Sequence, residues 1–575
     1  MWNQPGNLPC ATRHASSAGG HKSSIVRKLG YLGLIGACLV SESAGALPET
    51  PRTTLTPKRA HDSGAYPATK EEARPQVYHV SPPGNAVRPE DCTTERLQTM
   101  APADTSVAFA AREQGSCRVS GYVTTRSPGM NKVLFMLMLP DNFNGRYLYL
   151  GVGGAAGQLP VAPPALLRQG YAIAGSDAGT GPRNGADFNF NPSQQVDYQG
   201  RGVHVSAGAT QQITRRFYQR DDMHRYISGC SGGGQMGIAN AARFGRGDFD
   251  GFLVGAAPLP APMLMLPHRA LIQQRLQSNP ESWIEPEKLA RLQAAILARY
   301  DGLDGVTDGI IADPRNLPEI DDAMLRESGL TSAQIGLFRL LTAPPLFPRT
   351  PQLPAGRPPA YTVTAMSGWP TSITGRSRPP WGSTATMSAG ELTRSGAPSE
   401  HVFMDSRIRG VYPGLDYRTV TGMVDIVRVA MAGANNDLSD PGVFATLRQQ
   451  GGRMIVYHGA NDEFIPVSTT TDGYAALRAR YSDADAWIRA YSIPGMTHCA
   501  NAEGPTDIDL PLLGALVAWV ENGVAPEGVV APRQTPAHGL EREFLVCPEP
   551  NRPRLRRQEA DPMRAENWEC RANGN

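Results

Sequence analysis

The chain has 575 residues with 41% hydrophobic, 19% charged and 7% aromatic side chains, which places it among folded globular proteins. Lys and Arg total 55 against 53 Asp and Glu, a formal net charge of +2. That leaves no basic excess to grip a phosphate backbone or an anionic membrane, so nucleic-acid binding is excluded as a first reading.

Arg27 and Lys28 precede an apolar run, Leu29 to Val40, of about twelve residues. This is the length of a signal-peptide core and well short of the ~20 residues that span a bilayer, so export without a transmembrane helix is expected. Ala44-Gly45-Ala46 offers an A-x-A cleavage site, whereas Ile35-Gly36-Ala37-Cys38 reads as a lipobox that would lipidate Cys38. Residues 1–46 are therefore assigned to a leader, with a lipid anchor as the open alternative, and the Pro- and Thr-rich residues 47–90 to a linker. Six cysteines remain in the mature part: Cys92, Cys117, Cys230, Cys499, Cys547 and Cys570. An even count in an exported chain predicts disulfides, in any of fifteen connectivities. Cys92 with Cys117 and Cys547 with Cys570 are close in sequence, while the other two are far apart.

Short β-rich runs at 119–125, 132–139, 146–152 and 171–177 predict strands of one sheet. A helix is expected over 207–218, a strand over 225–229, a helix over 233–244 and a buried strand over 251–257, an α/β alternation. After Pro258 the rhythm breaks for about 180 residues, which include a helical stretch at 286–300, an Asp/Gly loop and a Pro/Gly/Trp/Ser-rich region. Strands resume at 453–459 and 486–495, followed by an apolar helix at 510–523. The expected organisation is one α/β domain in two parts, 91–257 and 441–575, split by an insertion at 258–440.

Gly229-Cys230-Ser231-Gly232-Gly233 fits G-x-S-x-G between a predicted strand and a predicted helix, the setting of a nucleophile elbow. A serine hydroxyl needs a base and a carboxylate that orients it, and both follow at later strand ends: Asp462 in HGANDEFIP and His498 in PGMTHC. The order Ser, Asp, His is that of α/β hydrolases. His458 is a weaker rival for the base. For an oxyanion hole, the amide of Gly232 is one donor, and Gly153 or Gly154 the other. The same run carries a G-x-G-x-x-A pattern (Gly151, Gly153, Ala156) with Asp177 beyond the next strand, the fingerprint of an NAD-binding oxidoreductase. Pro160, Pro163 and Pro164 interrupt the helix that reading needs. A catalytically silent exported binding protein is the other alternative, disfavoured by the complete triad.

Cys230 directly precedes the expected nucleophile and Cys499 directly follows the histidine. From about Cys92 to Cys570 the chain resembles the tannase/feruloyl esterase family, which includes bacterial hydrolases of mono(2-hydroxyethyl) terephthalate. The resemblance implies an α/β-hydrolase core with a large lid inserted between nucleophile and Asp, and hydrolysis of esters of small aromatic acids such as ferulate and gallate. It also implies a Cys230–Cys499 disulfide, for which touching Ser231 and His498 side chains would bring the two loops close enough. The loop 301–314 matches the family's lid calcium site. Asp301, Asp304 and Asp308 supply hard oxygen ligands there, with the carbonyls of Val306 and Ile310 completing the set. Family members often carry lid cysteines just beyond this loop, and none lies between Asn316 and Ala343 here. Trp369 and Trp381 in the lid are candidates to stack on an aromatic acyl group.

Overall fold

In a computed structural model of the chain, the structure describes residues 89–575 apart from 155, 182–190, 258, 260–264, 266–267, 269–270, 273–274, 277, 348–355, 375–377, 379–440, 500–502, 536–537, 558 and 573–575. The expected leader, Cys38 and nearly all of the linker lie outside them, as does Trp381. No helix among the described residues is long and apolar enough to cross a membrane.

Alternating apolar residues build β1 (Thr105–Glu113), β2 (Ser116–Thr125) and β3 (Asn131–Pro140), an antiparallel meander at one edge of the sheet. The runs that follow are apolar on both faces, as strands covered from both sides must be. They form β4 (Arg146–Leu150), β5 (Ala172–Ser176), β6 (His224–Cys230), β7 (Gly251–Gly255), β8 (Arg453–Gly459) and β9 (Ile488–Ile493). The nine-stranded order is β1-β2-β3-β5-β4-β6-β7-β8-β9, and the last six positions run parallel. β4 and β5 exchange places, so the ends of β4 and β6 are neighbours.

Successive side chains on one strand serve opposite cores. On β8, Met454 and Val456 face the helices Gly202–Tyr218, Gly232–Arg243 and Ser468–Arg480, which contribute Ile213, Ile238 and Leu477. Ile455 and Tyr457 face the helix Asp509–Asn522, with Leu512, Leu516 and Trp519. Two hairpins close the chain. β10 (Val529–Thr535) pairs with β11 (Gly539–Val546), and β12 (Asn551–Leu555) with β13 (Trp568–Ala572).

The chain between β7 and β8 is the expected inserted lid, and it has a core of its own. The helix Pro286–Tyr300 supplies Leu289, Leu292 and Ile296, which pack with Leu337, Phe338, Met366 and Trp369. The architecture is thus an α/β-hydrolase sheet with a large insertion after β7. Three disulfides join Cys92 to Cys117, Cys230 to Cys499 and Cys547 to Cys570, with Cα separations of 5.7, 5.9 and 5.5 Å.

Candidate active site

β6 ends at Cys230, and the chain turns into the helix Gly232–Arg243 through Ser231, whose φ of 57° and ψ of −121° lie outside the regions a side chain ordinarily accepts. Backbone crowding explains the glycines around it. A Cβ on Gly232 would stand 2.4 Å from the Gly154 carbonyl oxygen, and one on Gly233 2.7 Å from the Gly151 carbonyl carbon. The end of β4 therefore lies directly against the elbow. The helix ladder begins with the Gln235 amide donating to Ser231 O at 2.8 Å. The backbones of Gly232, Gly153 and Gly154 lie side by side next to Ser231.

Two further strand ends, those of β8 and β9, deliver the other side chains. Ser231 Oγ is 2.9 Å from His498 Nε2, and His498 Nδ1 is 2.8 Å from Asp462 Oδ2. Because a carboxylate only accepts, Nδ1 carries the proton and Nε2 is left to accept from the serine hydroxyl. Asp462 Oδ1 accepts the amides of Phe464 and Ile465, each at 2.8 Å. Burial alone would raise this carboxyl. Hydrogen bonds from His458 and His498, and the charge of both rings, outweigh burial and hold it well below the ordinary carboxylate range. Cys499 shares with Ser231 a positive φ, 54°, so the disulfide joins two bent backbones on either side of the Ser–His contact.

Several partners of this site carried no signal in the sequence. Glu463 accepts the His498 amide at 3.2 Å; its burial, with the neighbouring charge of Asp462, pushes its carboxyl up. The lid segment 361–372 is stitched to the Asp462 loop. Thr362 Oγ1 donates to Ala460 O at 2.8 Å, Ser372 Oγ to Glu463 O at 2.9 Å and the Tyr361 hydroxyl to Phe464 O at 3.2 Å. Side chains of this kind are common on any surface, and only the fold faces them toward the loop.

Three expectations need correction. Trp369 does not face a substrate: it is fully buried in the lid core, its ring 6.0 Å from that of Phe338. Asp177 is no ribose acid, since it is buried and accepts the amides of Leu134, Gly179 and Gly181 at 2.9, 2.8 and 3.1 Å. Gly151 packs on the elbow backbone, and the short helix Pro164–Arg168 does not follow it closely enough to cradle a pyrophosphate, so the dinucleotide reading fails. His458 is no rival base, because it is sealed from solvent and does not reach the serine.

In the lid loop, Asp301 Oδ2 accepts the Gly309 amide at 2.8 Å, Asp304 Oδ1 that of Val306 at 3.0 Å and Asp308 Oδ1 that of Ile310 at 2.9 Å. Arg542 of β11 forms an ion pair with Asp308. Among the described residues no group of three His, Cys, Asp or Glu side chains converges to hold a metal ion. Two observations nevertheless fit a cation. Asp301 Oδ1 is buried without a hydrogen-bond partner among the described residues, and burial together with the charges of Asp308 and Asp301 pushes the Asp304 carboxyl up to about 6, against the lowering effect of the Val306 amide.

The sheet order, the insertion and the elbow together define an α/β hydrolase. The family model described as tannase and feruloyl esterase matches residues 117–333 and 377–571, and the chain belongs to that family; it is a carboxylic ester hydrolase. A probable feruloyl esterase B-1 of Aspergillus oryzae is 27% identical over 435 residues, which cover 72% of this chain and 76% of that one. The crystal structure of feruloyl esterase B from Aspergillus oryzae superposes with a TM-score of 0.70 at 22% identity, over 84% of this chain and 100% of that one. A tannin acyl hydrolase from Aspergillus niger gives 0.65 at 18% identity, over 85% and 96%. These relatives leave no place for the silent binding protein.

Proposed function

We propose that the chain is an exported serine carboxylesterase that hydrolyses esters of small aromatic acids, of the feruloyl, galloyl or terephthaloyl type, through an acyl-enzyme. The observation that carries the mechanism is the Ser231–His498–Asp462 relay at a strained elbow. Ser231 Oγ attacks the ester carbonyl while His498 Nε2 takes its proton, and Asp462 stabilises the resulting imidazolium. The amides of Gly232 and of Gly153 or Gly154 stabilise the oxyanion. His498 then gives its proton to the departing alcohol, and water, activated by the same nitrogen, releases the acid. The names of the relatives support the choice of aromatic acyl groups.

Export rests on the leader and is supported by the three disulfides, which persist in oxidising compartments. Mass spectrometry of the mature N-terminus separates cleavage after Ala46 from lipidation at Cys38. In the lid, calcium would be held by Asp301 and Asp304, with Asp308 and the carbonyls of Val306 and Ile310 as further donors. It would supply charge neutralisation and no chemistry at Ser231.

The test of function is a panel of feruloyl, galloyl, terephthaloyl and plain alkyl esters. Aromatic esters are expected to turn over fastest, and Ser231→Ala to lose roughly 10⁵- to 10⁶-fold in kcat. Hydrolysis that survives this change, or a preference for alkyl esters, overturns the reading.

A further inference from the structure

His458 has no task in the reaction just described, yet it touches the carboxylate on which the relay depends. It stands at the end of β8, four residues before Asp462, with no exposed surface. Its Nε2 lies 3.0 Å from Asp462 Oδ2 and 2.8 Å from the Ile465 carbonyl oxygen. Both of those atoms only accept, so Nε2 carries a proton and shares it between them. On the other side of the ring, Nδ1 is 2.7 Å from Thr470 Oγ1, whose second neighbour, the Ala257 carbonyl oxygen, is at 3.2 Å. The ring is thus pinned at both nitrogens by three segments: the Asp462 loop, the first turn of the helix Ser468–Arg480, and the chain leaving β7. Asp462 Oδ2 stands between two imidazoles while Oδ1 takes two amides.

We propose that His458 is a positioning residue: it donates Nε2–H to Asp462 Oδ2, fixes the carboxylate plane so that its other lone pair meets His498 Nδ1, and draws off part of the charge His498 feels. The proposal rests on the reading of Asp462 as the carboxylate of the relay. Its consequence has a definite sign. Without the His458 donor, the charge on Oδ2 falls more fully on His498, the imidazolium becomes more stable, and His498 is protonated at higher pH. Since the relay needs His498 neutral in the free enzyme, the acidic limb of kcat/KM must move upward. The titratable groups facing this cluster are Asp462, Glu463 and His498 from the loops, and Tyr361 from the lid, whose segment 361–372 carries no charged side chain. None of them is altered in the His458 and Thr470 variants below.

The experiment compares His458→Phe with His458→Gln, the second restoring an N–H near the position of Nε2. The pH profile of kcat and kcat/KM is measured on an aromatic ester, alongside the unfolding curve. His458→Phe is expected to lower kcat by up to about 100-fold. It should leave KM within a few-fold and raise the acidic limb by roughly half a pH unit or more. His458→Gln should recover most of both effects. Thr470→Val against Thr470→Ser gives the same comparison one bond away and decides the matter if the Phe variant does not fold: Val moves the limb upward and Ser does not. An unmoved limb in folded His458→Phe or Thr470→Val, or a Gln variant as impaired as Phe, overturns the proposal. Asp462→Asn, assayed in parallel, separates the two readings. If it retains full activity, the relay itself is wrong. If it fails while the His458 variants keep the wild-type limb, only the positioning role is wrong.

Discussion

The Ser231 site and the Asp301–Asp308 loop solve the same problem, buried carboxylates in a protein interior, in opposite ways. Asp462 has four N–H donors and is held far toward its ionised form. Asp304 is pushed toward its neutral form, Asp301 keeps one oxygen without a hydrogen-bond partner among the described residues, and Arg542 pairs with Asp308. A site that must hold charge through a reaction is closed by donors from its own chain. A loop whose donors fall short is where the proposed cation would act.

Breaking the closed site should have the largest effect. Asp462→Asn keeps the shape of the side chain but leaves His498 in the wrong tautomer, and kcat should fall by about 10⁴-fold with little change in KM. Steady-state kinetics on an aromatic ester read this directly.

Removing the Cys230–Cys499 bridge, as the double Ser variant or by reduction, comes next. The bond closes a loop of 269 residues, worth about 5.6 kcal/mol in the chain-entropy model. It also holds nucleophile and base in register, so activity should drop by about 10- to 100-fold before the core unfolds. Denaturant titration and kinetics on the same sample show the order of the two losses. Unfolding that precedes the loss of activity would make the bridge a stability device alone.

The open loop should respond to metal instead. Chelation is expected to cost about 2–3 kcal/mol relative to calcium at a hundredfold excess over its Kd, without altering the pH profile of hydrolysis. Calorimetry with and without chelator checks it; identical profiles and metal-free purified protein would remove calcium from the account and leave Arg542 as the loop's counter-charge.

The smallest effect is a pH dependence. The Asp462 carboxyl is lowered on folding, so the stability it contributes is fully present above the unfolded value near pH 4 and is lost as pH falls below it. The stability difference between wild type and Asp462→Asn should therefore narrow as the pH falls below about 4. Acid titrations of both proteins test this.

Much of this was legible in the order of residues. The strand over 453–459 and the helix over 286–300 were read to the residue, because each is bounded by its own local signals. The elbow, Asp462 and His498 were legible because small residues must flank a crowded turn and the partners must follow strand ends in a set order. β1 was missed: TSVAFAARE is rich in alanine and lies at the sheet edge with one face exposed, so its alternation is faint. The helix Ser468–Arg480 was missed because it opens on three threonines and carries a glycine, which are weak helix formers. The closing hairpins went unread for want of a clear alternation.

By itself the sequence determined the α/β class and set Ser231, Asp462 and His498 at successive strand ends, where the structure brings them within hydrogen-bond reach, since each reading depends on periodicity, turn chemistry or chain order. Only the tertiary structure decided that Trp369 belongs to the lid core, that Asp177 staples a turn, that His458 stands behind Asp462, and that Arg542 reaches the lid loop from β11. A side chain's partner is set by which segments the sheet brings side by side, often hundreds of residues apart, and no local pattern records that distance.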